Sequence, residues 1–380
     1  MNDQAIELAM QSIFSQTDLH ARRVLSLTHA VLGAVQAAQA GVANIGRAEA
    51  VLRGVNSKHA IKQVDRLLSN TGFEVEVALR DVVRFVVGKR GRVTVSLDWT
   101  VYEGGENHRI ALNLVTRHGR ATPLAWKTVP ASELKDHRND REDELLRLFK
   151  KLLPPSVTQV IVLADRGFGD VKLYDMLKAE LGFDFVIRFR EGLTVRDESG
   201  IAQPGSKWVP HNGWARLLPK AKVTRSRFEV TAVVAVKKAR MKEPWLLATS
   251  LDLKADEIVA LYAKRFTCEE NFRDEKDCRF GMGSRWVSIK RADRRDRLCL
   301  ILALATILLT LLGHAGEDLG LDRWLRANTV KRRTHSLFRQ GREYFHGTLG
   351  KVRNAVARLW RSFASLVAAQ PAVHADETWI

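Results

Sequence analysis

TQVIVLADRGFGD, residues 158–170, opens with an unbroken apolar run that stops at Asp165. A run without alternation marks a strand buried on both faces, as in parallel sheets covered by helices. Upstream, RVTVSLDW (92–99) alternates around β-branched residues and ends at Asp98. HRIALNLVTRHG (108–119) and TPLAWKTVP (122–130) supply two further strands. HRNDREDELLRLFKKLLPP (137–155) then reads as an amphipathic helix closed by Pro154 and Pro155. Downstream, DVKLYDMLKAELG (170–182) predicts a helix and FDFVIRFR (183–190) a strand. The pattern predicts an α/β fold: a mixed sheet flanked by helices.

Residues 191–244 interrupt this alternation with turn-rich stretches, DESGIAQPGS and VPHNGW, between β-type runs, and predict a β insertion. PWLLATSL (244–251) returns as a strand, and ADEIVALYAKRF (255–266) begins a helix. Residues 1–85 predict short helices carrying Arg22, Arg23, Arg47, Lys58, His59 and Lys62, with Ser57 as an N-cap, and suit a DNA-binding module. LCLILALATILLTLL (298–312) falls short of the ~20 residues that span a bilayer and follows RADRRDR, so it predicts a buried core helix. NTVKRRTHSLFRQGREYFHG (328–347) is strongly basic with aromatics interleaved, and an amphipathic helix at 351–369 is a candidate dimer contact.

With 61 Lys plus Arg against 43 Asp plus Glu, the 380-residue chain carries a formal charge of +18, which calls for a polyanionic partner, nucleic acid above all. Hydrophobic content of 46% excludes a disordered basic tail. The three cysteines, Cys268, Cys278 and Cys299, form no CxxC or Cys/His cluster and fit a reducing cytosol. The opening residues MNDQAIELAM lack the basic flank and apolar run of a signal peptide.

The run LYAKRFTCEENFRDEKDCRF (261–280) sets Tyr262, Arg265, Glu269 and Lys276 at steps of three, four and seven. On an unbroken α-helix these four side chains fall within about 60° of one face. Leu261, Phe266 and Phe272 flank them closely, which predicts that the stripe faces a cleft. Asp98 and Asp165 end apolar strands, where catalytic groups of an open sheet gather. Three carboxylates converging on one point repel unless cations lie between them, and hard divalent ions suit that role. An Asp at a strand end also serves as a turn-former, so each aspartate alone carries little. Trp99 reads as a packing residue, and His59, His108 and His118 as contacts to phosphate or solvent.

LDWT (97–100), VLADRGFGD (162–170) and the Y-x2-R-x3-E-x6-K run at 262–276 resemble the three signatures of bacterial DDE transposases. More narrowly, they are similar to the cut-and-paste insertion-sequence transposases that carry the YREK signature. The resemblance implies an RNase H-like core, with Asp98, Asp165 and Glu269 as catalytic residues and ligands of Mg²⁺, for which Mn²⁺ substitutes. It implies DNA-end contacts from Arg188, Tyr262, Arg265 and Lys276, and from Trp245 as an aromatic stacking on a flipped base. The expected organisation is a helical DNA-binding domain (1–85), a catalytic core in two parts (86–190 and 245–330) around the β insertion (191–244), and a basic helical C-terminal region (331–380).

The resemblance also implies cleavage of double-stranded DNA at inverted repeats, hairpin formation, strand transfer into target DNA and a homodimer in the synaptic complex. Such a protein would work in the cytoplasm on nucleoid DNA, with no membrane contact. Two rivals differ in class. A catalytically idle DNA-binding repressor would gain little from keeping repelling carboxylates, and a nuclease for RNA–DNA hybrids would not need Arg188, Trp245 and the insertion.

Overall fold

A computed structural model describes residues 2–102, 104–277, 281–347 and 353–372; Cys278 lies outside them. Five helices open the chain: α1 (Asn2–Ile13), α2 (Ala21–Ala37), α3 (Val42–Arg53), α4 (Ser57–Ser69) and α5 (Val75–Val87). Asn56, not Ser57, caps α4: its Oδ1 accepts the Lys58 amide at 2.9 Å, and Ser57 is already helical. A side chain one residue outside the helix reaches an unpaired first-turn N–H, which one inside cannot.

The sheet then builds as expected. The meander β1 (Arg92–Val101), β2 (Asn107–Leu114) and β3 (Thr122–Pro130) is antiparallel, and after α6 (Arg138–Leu152) the apolar strand β4 (Gln159–Ala164) pairs parallel with β1. A short helix α7 (Val171–Asp175), widened into a π-turn over Met176–Glu180, leads to β5 (Asp184–Arg188), parallel to β4.

Residues 191–244 divide between two sheets. β6 (Thr194–Arg196), β7 (Ala202–Pro204), β9 (Lys222–Val223) and β10 (Phe228–Glu229) form a small four-stranded sheet. β8 (Arg216–Pro219) and β11 (Ala232–Val236) instead extend the main sheet beyond β12 (Trp245–Thr249), giving the order β3-β2-β1-β4-β5-β12-β11-β8. AVVAV in β11 is buried at all five positions and needs cover on both faces, which an inner main-sheet position supplies.

The second half is helical: α8 (Ala255–Ala263), α9 (Thr267–Lys276), α10 (Ala292–Asp318), α11 (Leu337–Phe345) and α12 (Arg353–Ala369). By length and composition α10 could cross a membrane, but it is almost wholly buried inside the protein. It packs against α2, α4, α5, β3, α11 and α12 and so ties the N-terminal helices to the sheet. Gly313 and Gly341 let α10 and α11 touch: a Cβ at either would meet a backbone oxygen of the other helix within 1.9 Å. Phe338, Tyr344 and Phe345 are buried in this packing, so the aromatics of the basic 328–347 stretch do not face solvent. The apolar face of α12 is likewise used inside the chain, with Leu359, Trp360 and Phe363 buried. A dimer contact read from its amphipathicity loses that ground.

One buried ion pair fixes α9 over the meander. Arg109 on β2 donates to Glu275 on α9 at 2.9 and 2.6 Å, with Tyr102 and Cys299 closing around it. Removing one partner leaves the other charge buried and uncompensated. Arg109→Ala is expected to lower the unfolding free energy by about 3–5 kcal/mol. Denaturant unfolding measures this, and an Arg109→Met/Glu275→Leu pair should recover much of the loss.

Candidate active site

Strand register brings the first part of the site together. Leu97 on β1 pairs with Ala164 on β4, and Ala164 with Ile187 on β5. All three side chains are fully buried. One residue further along each parallel strand stand Asp98, Asp165 and Arg188. Side chains in one row of a parallel sheet share a face, so two carboxylates and a guanidinium leave the sheet side by side. β1 does not end at Asp98 as its sequence pattern implies: it runs on to Val101, held by antiparallel pairing with β2, and Asp98 stands where the parallel pairing with β4 stops.

Helix α9 brings Glu269, and Arg265 links the two elements. Its guanidinium donates to Asp98 Oδ2 at 3.3 Å and to Glu269 Oε1 at 2.7 Å. Burial works against the charge on Arg265, but Tyr262, Asp98, Glu269 and Asp165 outweigh it and hold the group above its usual range. Asp98 is pushed up to about 6: burial is the main cause, Arg265 opposes it, and Asp165 and Glu269 add like-charge repulsion. Asp98 Oδ1 also accepts the Trp99 amide at 2.9 Å. Asp165 Oδ1 accepts the Gly167 amide at 2.8 Å, capping the 3₁₀ turn Arg166–Phe168. The strand-end aspartate is therefore a turn-former as well as a member of the acidic row.

The stripe of Tyr262, Arg265, Glu269 and Lys276 is not one α-helical face. Between α8 and α9 the chain tightens into a 3₁₀ turn at Lys264–Phe266, and three residues per turn shift the bearing of everything beyond it. Tyr262 is buried, with its ring edge-on to Trp245 at 5.0 Å, and burial raises its phenol pKa. Trp245 is half-buried at the start of β12, on the main sheet, and stacks on the exposed Phe266 at 5.9 Å between centroids. Lys276 donates to Thr100 Oγ1 and to the Val101 carbonyl, and burial lowers its pKa. Glu269 and Lys276 line a cleft of about 410 Å³ with Arg273, Arg285 and the exposed Trp286.

Trp99 donates from Nε1 to Glu142 at 2.7 Å and packs against the core, as a structural residue should. Sequence reading missed Arg166 and Glu243. Arg166 and Arg188 both donate to Glu243, at 2.9 and 2.8 Å. The signals were slight: an arginine directly after Asp165, and one acid in a basic loop.

Among the described residues, no three carboxylate, imidazole or thiol side chains already stand together as a metal cage. Glu269 is half-exposed and bonded to Arg265. The donor chemistry nonetheless fits a hard divalent cation. Asp98 is desolvated and faces two further carboxylates, a condition that added positive charge relieves.

The family model of the transposase DDE domain matches residues 93–308, more than half of the chain, and the chain belongs to that family. The mixed eight-stranded sheet with flanking helices fits a DDE transposase. No curated protein matches the chain. Family membership makes the protein a nuclease-type transposase that acts on DNA.

Because the folded-state pKa of Asp98 lies above its unfolded value, ionising it costs stability. That cost is absent below about pH 4, grows towards pH 6 and is complete above it. Asp98→Asn is expected to raise the unfolding free energy at pH 7 by about 3 kcal/mol. The gain should shrink as pH falls from 6 towards 4, which unfolding curves at pH 7, 5 and 4 would read.

Proposed function

We propose that the chain is a transposase that binds the terminal inverted repeats of its own insertion sequence and catalyses strand cleavage, hairpin formation and strand transfer. The observation that supports this most is the row of Asp98, Asp165 and Arg188 across three neighbouring parallel strands, with Arg265 linking Asp98 to Glu269. A protein that only occupied DNA would gain nothing from a desolvated carboxylate facing two others.

Asp98, Asp165 and Glu269 are the residues that would hold Mg²⁺ or Mn²⁺. When bound, the ions supply the positive charge that activates a water or 3′-hydroxyl and stabilises the leaving oxygen. Arg188, Arg265 and Lys276 hold the scissile strand by its phosphates, with the Tyr262 phenol beside them. Trp245 offers the aromatic face for a base displaced from the duplex, and stacking of this kind is worth about 1–3 kcal/mol per base. In the first step water attacks phosphorus at the element end, the 3′-oxygen leaves with a proton, and a 3′-hydroxyl and a 5′-phosphate result. That hydroxyl then attacks phosphorus in the opposite strand, expelling the flanking DNA's 3′-oxygen, which takes a proton, and a hairpin closes. Water reopens the hairpin by expelling the 3′-oxygen. The 3′-hydroxyls then attack phosphorus in target DNA, each expelling a target 3′-oxygen that takes a proton.

The exposed Arg22, Arg47, Lys58, His59 and Lys62 of α2 to α4 form the surface that reads the element end. Two ends held together call for two copies of the chain, working on nucleoid DNA in the cytoplasm.

Asp165→Ala is expected to abolish Mg²⁺-dependent cleavage of a duplex spanning the element end, while binding to that duplex stays within about two-fold. Gel assays of cleavage and binding decide it. Wild-type protein that binds the end but never cuts it would favour the idle repressor. A product set of single-strand nicks alone would remove the hairpin step.

A further inference from the structure

Arg166 and Arg188 reach one point from two segments. Arg188 ends β5 in the row with Asp98 and Asp165, and Arg166 opens the 3₁₀ turn that follows β4 and Asp165. Both guanidiniums donate to the same oxygen, Oε2 of Glu243, at 2.9 Å from Arg166 and 2.8 Å from Arg188. Arg188 also donates to the Pro244 carbonyl at 3.1 Å, and its Nε–H is buried without a protein partner. Glu243 comes from the loop joining β11 to β12, KKARMKEP (237–244), in which it is the single acid among Lys237, Lys238, Arg240 and Lys242.

We propose that Arg166 and Arg188 form one two-pronged phosphate seat beside the catalytic acids, and that Glu243 fills this seat until a DNA phosphate displaces it. The inference rests on the transposase reading and adds to it Arg166 as a DNA-contacting residue and Glu243 as an internal competitor. A carboxylate and a phosphodiester each carry one negative charge over two oxygens, so the exchange conserves charge at the seat. Two guanidiniums on one oxygen suit a tetrahedral anion, whose remaining oxygens reach donors that a planar carboxylate misses. The Nε–H of Arg188 is such a donor. Glu243 is half-exposed, and exposed ion pairs are weak, so its release is easy. Once released, it leaves a loop of four basic residues beside the DNA. Hydrogen bonding from Arg188 and the charge of Arg166 hold Glu243 below the ordinary carboxylate range, so it competes at every pH near neutrality.

The test measures DNA affinity by fluorescence anisotropy across a salt series. It compares wild type, Glu243→Gln, Arg166→Ala and the double variant. Each meets a duplex ending in the repeat that flanks the gene and a random duplex of equal length. Glu243→Gln is expected to bind about five- to ten-fold tighter, with a log–log salt slope steeper by about one phosphate. The gain should vanish when Arg166 is also alanine. Equal or weaker binding by Glu243→Gln, or a gain that survives loss of Arg166, overturns the seat and leaves Glu243 as a loop tether. Failure of wild type to prefer the repeat would count against the proposed function instead, and the random duplex would still read the effect of Glu243.

Discussion

Repulsion among carboxylates sets the terms on which this site can exist. Asp98 is desolvated within β1 and senses both Asp165 and Glu269 as like charges. Folding such a group costs free energy unless positive charge is supplied. Arg265 supplies it, bonded to Asp98 on one side and to Glu269 on the other. The link explains why α8 and α9 are separated by a 3₁₀ turn at Lys264–Phe266: Arg265 lies within it, buried and turned to the sheet.

The rest of the structure holds that arrangement in place. Register between β1, β4 and β5 puts two acids and a guanidinium in one row, and α9 is pinned over the meander by Arg109 and Glu275. Beneath them, α10 joins the N-terminal helices and the sheet through one continuous core. The apolar stretch 298–312 of α10 suits that position, since the helix packs against α2, α4, α5, β3, α11 and α12. The basic surface implied by the net charge lies on this frame, where counterion release can contribute to DNA binding.

Much of this fold is legible in the order of the residues. Apolar runs leading into Asp98 and Asp165 mark their strands, although β1 continues past Asp98 to Val101 and Asp165 also caps the turn that follows β4. The core helix at 298–312 is legible from its length and its basic lead-in. What stays hidden depends on tertiary pairing. That Asp98, Asp165 and Arg188 share one row follows from register, which side-chain pattern does not encode across distant segments. The 3₁₀ break is invisible because 262–276 keeps helical spacing throughout. Likewise, the split of 191–244 between two sheets turns on the burial of AVVAV, and the pairing of Glu243 with two arginines on a loop crossing. For 328–347, composition misleads: the aromatics there fill the α10–α11 contact.

The central claim is that Asp98, Asp165 and Glu269 constitute a single catalytic centre where α9 meets β1 and β4. Anomalous diffraction from crystals of the protein with element-end DNA and Mn²⁺ tests it most directly. The account predicts anomalous density bounded by the carboxylates of Asp98 and Asp165, with Glu269 turned from Arg265 towards it. Well-ordered Mn²⁺ elsewhere on the protein, with Asp98 and Asp165 not touching it, would contradict the account.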